Sequence, residues 1–196
     1  MDSAKDERIK NFMTEFAPKL ATSQRWPAFS LLATYLLNQD RPITLIETGC
    51  LRTVDNWQGD GQSTRLWDFI VRETGGEGYS IDLDPAAAAT AQELCPSMKV
   101  VASDSLKWLL ENRELAAKAD FVYLDSYDFH EPYVDSMLHH AAEFAIIAHQ
   151  LKPGCLIAID DCHDVWWGKQ GLVKGMLAQL GVKPIQEGYV TVWQKP

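Results

Sequence analysis

Short apolar runs alternate along the chain with segments in which apolar residues recur every three or four positions. The apolar runs predict buried strands at residues 43–47, 78–82, 98–102, 121–125 and 155–160. The periodic segments between and after them predict helices at residues 63–74, 85–94, 105–117, 133–151 and 171–180. Strands that alternate with helices in this way favour an α/β protein with a mostly parallel sheet.

The two ends of the chain depart from this alternation. Residues 1–40 have the spacing of helices, and Pro42 separates them from the first strand. Near the other end, residues 182–187 and 189–194 predict two antiparallel strands turned at Gly188. We therefore expect a helical N-terminal segment followed by one domain at residues 41–196, with a seven-stranded sheet that ends in a hairpin.

Composition and charge limit the kinds of partner that the protein is expected to bind. The 196 residues carry a formal net charge of −9, which disfavours binding to the phosphate backbone of a nucleic acid. No apolar run approaches the ~20 residues that span a bilayer, and the charged start lacks the apolar core of a signal peptide. The four cysteines lack C-x-x-C spacing and predict reduced, buried thiols. We expect a cytoplasmic protein that binds neither nucleic acid nor membrane.

Acidic side chains follow nearly every predicted strand. Glu47, Asp82, Asp125 and the pair Asp160-Asp161 end four of the first five strands, and Asp104 comes just after the remaining one. A single acid at a strand end is a common helix cap. The same position on so many strands instead favours a ligand site, because ligands of open parallel sheets bind outside the carboxyl ends of the strands.

The loop after the first strand resembles motif I of the methyltransferase family. Glu47-Thr48-Gly49 matches its start, and Gly61-Gln62-Ser63-Thr64 is similar to the segment that closes it. The loop between these segments is enlarged relative to the motif. A glycine lets the backbone pass close to a ligand, and a helix that begins at Ser63 favours a carboxylate at its N-terminus. The resemblance implies that Glu47, Gly49, Gly61 and Ser63 contact the cofactor.

The second and third strands end in further candidate cofactor ligands. Asp82 is similar to the family's acid that accepts both ribose hydroxyls of a nucleoside, whereas Asp84-Pro85 is also explained as a helix start. Ser103 and Asp104 resemble the segment that meets the adenine. For Asp104 a helix cap is an equally good interpretation.

Asp125 and the pair Asp160-Asp161 resemble the metal-binding acids of metal-dependent O-methyltransferases. Hard oxygen ligands of this kind suit Mg²⁺, which would bind two substrate hydroxyls and promote loss of a proton. Three neighbouring carboxylates without a cation are costly, which favours a metal. The alternatives are a protonated Asp or one that acts as a general base.

The general base is not carried over from the catechol-type enzymes, because Asp128 stands where they have a catalytic lysine. Asp125, His130 and His163 are the candidate catalytic residues, the two histidines because their usual pKa is near neutrality. His139, His140 and His149 lie on a helix with core-forming residues and are interpreted as surface or packing residues. Trp166-Trp167 either covers a substrate pocket or packs in the core.

Taken together, residues 40–196 resemble the class I S-adenosylmethionine (SAM)-dependent methyltransferases. The resemblance is greatest to metal-dependent small-molecule O-methyltransferases of the macrolide-sugar, aminocoumarin and catechol types. It implies a Rossmann-like fold, SAM and Mg²⁺ as cofactors, and a small-molecule hydroxyl as acceptor. The alternatives are a metal-independent methyltransferase and a catalytically silent cofactor-binding domain. The missing G-x-G-x-x-G weakens an NAD-dependent enzyme. Residues 1–40 are expected to cover the substrate or to form a homodimer contact.

Overall fold

The computed structural model describes residues 3–59, 62–163 and 167–196. Within these ranges the chain forms a central sheet with helices on both faces, as the alternating pattern predicts. The helices are α1 (Ser3–Leu20), α2 (Trp26–Leu37), α3 (Ser63–Thr74), α4 (Pro85–Leu94), α5 (Ser105–Glu111), α6 (Arg113–Ala116), α7 (Tyr133–Ile147) and α8 (Gly171–Gln179). The strands are β1 (Thr44–Thr48), β2 (Glu77–Asp82), β3 (Met98–Ala102), β4 (Phe121–Leu124), β5 (Leu156–Ile159) and β6 (Thr191–Gln194).

The strand order across the sheet is β3-β2-β1-β4-β5-β6. All neighbouring strands are parallel except β6, which pairs antiparallel with β5. The strand order reverses beside β1, which pairs with β2 on one side and β4 on the other. The carboxyl ends of β1 and β4 therefore flank the switch point at which this class of sheet binds its ligands.

Each face of the sheet has its own apolar core, because side chains alternate between the two faces of a strand. Phe121 and Tyr123 of β4 point to one core, which α1, α2 and α3 complete. Val122 and Leu124 point to the other, which contains side chains of α5, α7 and α8. The N-terminal helices thus belong to the same core as the sheet: Phe12 is fully buried and lies 5.5 Å from the ring of Phe69 in α3.

The prediction of seven strands and a C-terminal hairpin is not met in full. Residues 182–187 form no strand, and only an isolated antiparallel bridge joins Gln186 to Val192 of β6. Pro184 interrupts this segment and has no N–H to donate, which limits its pairing with β6. The described ranges therefore hold a six-stranded mixed sheet.

Two predicted helices are shorter than expected. The helix predicted at 105–117 is broken at Asn112, whose side-chain amide donates to the carbonyl of Trp108 at 2.8 Å and so competes with the helical pattern. The helix predicted at 133–151 ends at Ile147, before the Pro153-Gly154 turn. Among the described residues, every helix is too short or too polar to cross a lipid bilayer.

Candidate functional site

A cleft of about 530 Å³ opens at the carboxyl ends of the strands, beside the switch point. One half is lined by residues that follow β1 and β2, and the other by residues that follow β4 and β5. Arg25, between α1 and α2, and Tyr189, just before β6, also line it. The residues that line the cleft are Arg25, Gly49, Cys50, Arg52, Gly59, Ser63, Asp82, Leu83, Asp84, Asp125, Ser126, Tyr127, Asp128, His130, Asp161 and Tyr189.

Two acidic residues, Asp82 and Asp84, line the first half. Asp84 caps α4, and backbone groups fix the carboxylate of Asp82. The N–H of Cys50 donates to Oδ2 at 3.0 Å, and the N–H of Asp84 donates to Oδ1 at 2.8 Å. Each oxygen keeps a lone pair for another donor. Next to it, Leu83 exposes 73% of its surface, more than any other large apolar side chain in the described ranges. An oriented carboxylate beside an exposed apolar side chain fits the hydroxyls and the ring face of a nucleoside.

Gly49 lines the cleft, and its backbone φ of 80° lies in the left-handed region that favours glycine. A Cβ at this position would lie 2.5 Å from the carbonyl oxygen of Asp125 and 3.2 Å from the Cα of Ser126. Glycine is therefore required so that the loop after β1 can approach the loop after β4. This is a different reason from the close approach to a ligand that the sequence suggested.

Glu47 does not line the cleft but is fully buried beneath it. Its two carboxylate oxygens accept hydrogen bonds from Ser63, at 2.6 Å, and from Ser80, at 2.5 Å. Burial raises the pKa of Glu47 to about 7, although the hydrogen bonds from both serines oppose this shift. Glu47 thus links the start of α3 to β2, and Ser63 is the partner that reaches the cleft.

Ser103 and Asp104 lie outside the residues that line the cleft. Asp104 caps α5, because its Oδ1 accepts the N–H of Lys107 at 2.8 Å. The structure therefore shows the helix-cap role for Asp104. Gly61, predicted to contact the cofactor, and Trp166 lie outside the described residues.

Asp125, Asp160 and Asp161 come together at the other half of the cleft, as the sequence predicts; we call them the carboxylate cluster. Asp125 and Asp161 line the cleft, whereas Asp160 is fully buried. Two basic residues that the sequence analysis did not identify are inserted into the cluster. Arg25 donates from Nε to Asp160 Oδ2 at 2.7 Å and from Nη2 to Asp161 Oδ1 at 3.3 Å. Lys169 contacts Asp125 Oδ1 and lies 3.0 Å from Asp161 Oδ2.

Burial and charge together determine how these groups titrate. Burial lowers the pKa of Lys169, but the attraction of Asp125 and Asp161 outweighs burial, so the pKa is raised overall and the ammonium stays charged. Burial raises the pKa of Asp125 well above its usual value, and Asp160 and Asp161 add to that shift against the opposing effect of Lys169. The pKa of Asp161 is lowered because Lys169 and Tyr189 outweigh its burial.

Gly168 explains how Lys169 reaches the cluster. Its φ of 136° favours glycine, and a Cβ there would lie 2.5 Å from the carbonyl oxygen of Asp161. The 168–170 segment can therefore pack directly against the end of β5. The sequence signal was a glycine-flanked lysine soon after the acidic pair, whereas nothing in the local pattern pointed to Arg25.

The two candidate histidine bases lie in different places. His130 is exposed and lines the cleft, with its Nδ1 3.0 Å from the carbonyl oxygen of Asp128. His163 is exposed outside the cleft lining, stacked on Phe129 with 5.0 Å between ring centroids. His140 is fully buried, and burial lowers its pKa to about 4, so this histidine is a neutral packing residue.

No protein-family model matches the sequence, and no curated protein matches it either. Solved structures do match. The MycE methyltransferase of the mycinamycin biosynthetic pathway, in complex with Mg, S-adenosylhomocysteine (SAH) and mycinamycin VI, has a TM-score of 0.66 at 15% identity. That match covers 95% of this chain and 54% of MycE, so the chain spans about half the length of MycE.

Two further matches are closer to this chain in length. The 1,6-didemethyltoxoflavin-N1-methyltransferase of Burkholderia thailandensis, with its substrate and SAH bound, has a TM-score of 0.53 at 16% identity and covers 97% of this chain and 86% of its own. The N-methyltransferase NodS of Bradyrhizobium japonicum has a TM-score of 0.55 at 13% identity and covers 88% and 96%. The chain has the class I methyltransferase fold. In that fold the cleft occupies the switch point beside β1.

The carboxylate cluster does not fit the Mg²⁺ site that the sequence predicted. Among the described residues, no group of three or more His, Cys, Asp or Glu side chains has the arrangement of a metal site. The reason is the ion pairing, because Arg25 and Lys169 already contact the oxygens that a metal would need. Three carboxylates in one site are thus compensated by basic side chains.

Proposed function

We propose that this protein is a SAM-dependent methyltransferase that methylates a hydroxyl group of a small molecule. The observation that carries the proposal is the position of Asp82. Its oriented carboxylate lies in the same cleft as the carboxylate cluster, so one continuous volume offers a nucleoside half and a polar acceptor half. The methyltransferase fold supports this interpretation, although folds alone do not determine activity.

The nucleoside half has groups for each part of SAM. Asp82 would accept the ribose hydroxyls, and the exposed Leu83 would pack on the adenine. The N-terminus of α3 at Ser63 and the Gly49 turn line the cleft where the carboxylate end of the methionine would lie. When bound, SAM supplies an electrophilic methyl group.

The acceptor half supports a small polar molecule. The whole cleft is about 530 Å³, within the range of small-ligand pockets. Asp125, Tyr127, His130 and Tyr189 present acidic, phenolic and imidazole groups to it. Residues 1–40 contribute Arg25, which supports the proposal that this segment covers the acceptor.

The protein's own contribution is positioning and proton removal. A hydroxyl needs a base as its oxygen attacks a methyl group, and Asp125 and His130 both face the cleft. Asp125 is the stronger candidate because Lys169 fixes one of its oxygens. The sequence is compatible with methyl transfer that Mg²⁺ assists and with methyl transfer that needs no metal. The ion pairs of the cluster support the metal-independent reaction.

Calorimetry with SAH tests the cofactor. We expect the protein to bind SAH and not NADH, whereas binding of NADH alone would reject the proposal. Incubation with SAM and a set of hydroxylated small molecules, with SAH formation measured, then tests the activity. SAH binding without turnover of any acceptor would favour a catalytically silent domain.

A further inference from the structure

The carboxylate cluster is neutralised from inside the protein. The ammonium of Lys169 is placed between Asp125 Oδ1 and Asp161 Oδ2, and Lys169 exposes only 1% of its surface. A lysine is rarely this buried unless it is paired. Its position between two carboxylates from different strands is the position that a bridging cation would take.

Arg25 makes the corresponding contacts on the Asp160 side. It exposes 8% of its surface, and its guanidinium joins Asp160 to Asp161. Tyr123 donates to Asp160 Oδ2 at 2.8 Å, and Tyr189 donates to Asp161 Oδ1 at 2.5 Å. The guanidinium of Arg25 also lies 4.7 Å from the ring of Tyr189, which holds it in place from the cleft side.

The oxygen atoms of the cluster can be accounted for one by one. Asp160 Oδ1 accepts the N–H of Asp161, and Asp160 Oδ2 accepts from Arg25 and Tyr123. Asp161 Oδ1 accepts from Arg25 and Tyr189, and its Oδ2 faces Lys169. Asp125 Oδ1 accepts from Lys169, and only Asp125 Oδ2 has no donor among the described residues. Mg²⁺ needs several oxygens in near-octahedral positions, and only one oxygen of the cluster is not already in contact with a described donor or cation.

The charges lead to the same conclusion. Because two basic side chains oppose three carboxylates, the net charge of the cluster is no more negative than −1. A divalent ion would have to displace the buried ammonium of Lys169 from the two carboxylates that it pairs with, or share the site with two cations. Both arrangements are unfavourable because a buried charge needs a partner.

We infer that Lys169 and Arg25 take the place of a divalent cation, so that the cleft works without a metal and Lys169 is the positioning residue for Asp125. Lys169 holds Oδ1 of Asp125, which leaves Oδ2 for the acceptor. An acceptor held by Asp125, Arg25 and Tyr189 then needs only a single hydroxyl, not the adjacent pair that chelation requires. The acceptor role rests on the proposed function, whereas the replacement of the metal does not.

Metal binding to the protein itself tests the inference. Mn²⁺ is used as a paramagnetic substitute for Mg²⁺, and its uptake is followed by electron paramagnetic resonance in wild type, Lys169→Met and Lys152→Met. Methionine matches the length of lysine without its charge. Lys152 is the matched control because it also pairs with a buried aspartate, Asp120, but outside the cleft.

We expect wild type and Lys152→Met to take up no stoichiometric Mn²⁺. Lys169→Met should bind Mn²⁺ about tenfold more tightly than wild type does, or more, because two carboxylates lose their cation. A tenfold change corresponds to about 1.4 kcal/mol of binding free energy. Adding Asp161→Asn to Lys169→Met should abolish that gain. A folded Lys169→Met with wild-type Mn²⁺ affinity would contradict the inference.

If Lys169→Met fails to fold, wild type and Asp161→Asn test the inference. Uptake of one Mn²⁺ per chain that Asp161→Asn abolishes would overturn the inference, whereas none would support it. SAH binding is measured in parallel on the same preparations. If wild type binds Mn²⁺ at the cluster and also binds SAH, the inference about the metal is rejected and the proposed function is retained. If the protein does not bind SAH, only the proposed function is rejected.

Discussion

The guanidinium of Arg25 donates from Nε to Oδ2 of Asp160 at 2.7 Å, although 135 positions of sequence separate the two residues. Asp160 is fully buried at the end of β5, and Arg25 is 8% exposed between α1 and α2. The contact therefore joins the N-terminal helices to the strand ends through a buried ion pair. Removal of one member of such a pair leaves a buried charge without its partner.

We expect Arg25→Met to lower the free energy of unfolding by about 3–5 kcal/mol, since Asp160 would lose its cation. Arg41→Met is the matched control, because Arg41 also pairs with a buried aspartate but is half exposed, and Lys152 remains beside Asp120. Arg41→Met should lower the free energy of unfolding by about 1 kcal/mol or less. Urea denaturation of both variants measures the difference, and equal losses would show that the Arg25 pair has no special role.

Gly49 and Gly154 form a second matched pair. Both have positive φ, 80° and 84°, but an added Cβ meets backbone atoms only at Gly49. Gly154→Ala should cost about 1 kcal/mol, the strain of a left-handed residue. Gly49→Ala should cost more and should also weaken SAH binding, because the loops after β1 and β4 must separate. Thermal unfolding measures the two losses of stability, and calorimetry measures the affinity for SAH. Similar losses of stability at the two positions would contradict the close approach of the loops after β1 and β4.

Asp82 and Asp104 were both predicted to bind the cofactor, and the structure separates them. Asp82→Asn should weaken SAH binding about 10–100-fold, because hydrogen bonds to a charged group contribute about 1.5–3 kcal/mol. Asp104→Asn should leave the affinity nearly unchanged, since asparagine also caps a helix well. Calorimetric titration of both variants with SAH measures the two affinities. An equal loss for Asp104→Asn would return that residue to the binding site.

The buried carboxyl of Glu47 predicts a dependence of stability on pH. Its pKa is raised from 4.5 to about 7 by burial, so the folded state holds this proton more tightly than the unfolded state does. The resulting stability is fully present below pH 4.5 and is lost as the pH rises to about 7. At about 1.4 kcal/mol per unit of pKa, the loss is of the order of 3 kcal/mol.

Glu47→Gln isolates this effect, because the amide resembles the protonated carboxyl at every pH. We expect the variant to lose less stability than wild type between pH 5 and pH 8, so its stability relative to wild type rises with pH. Chemical denaturation at both pH values provides the comparison. A difference between the two proteins that is independent of pH would mean that Glu47 is ionised throughout.

The local sequence determined much of the fold and the location of the site. The apolar runs predicted β1 to β5, and the acids that follow them predicted that Asp82, Asp125 and Asp161 would line one cleft. These predictions succeed because the burial of a strand requires a continuous apolar run, and because parallel strands end at the same edge of a sheet. A resemblance of short motifs added the methyltransferase fold.

Only the tertiary structure decided what compensates the carboxylates and which acids face the cleft. Arg25 and Lys169 come from segments far from their partners in sequence, and no local pattern records an ion pair between distant segments. Glu47 and Asp82 both end strands, yet one is buried beneath the cleft and the other lines it. Local burial leaves a periodic signal in the sequence, whereas the pairing of charges depends on how the whole chain packs.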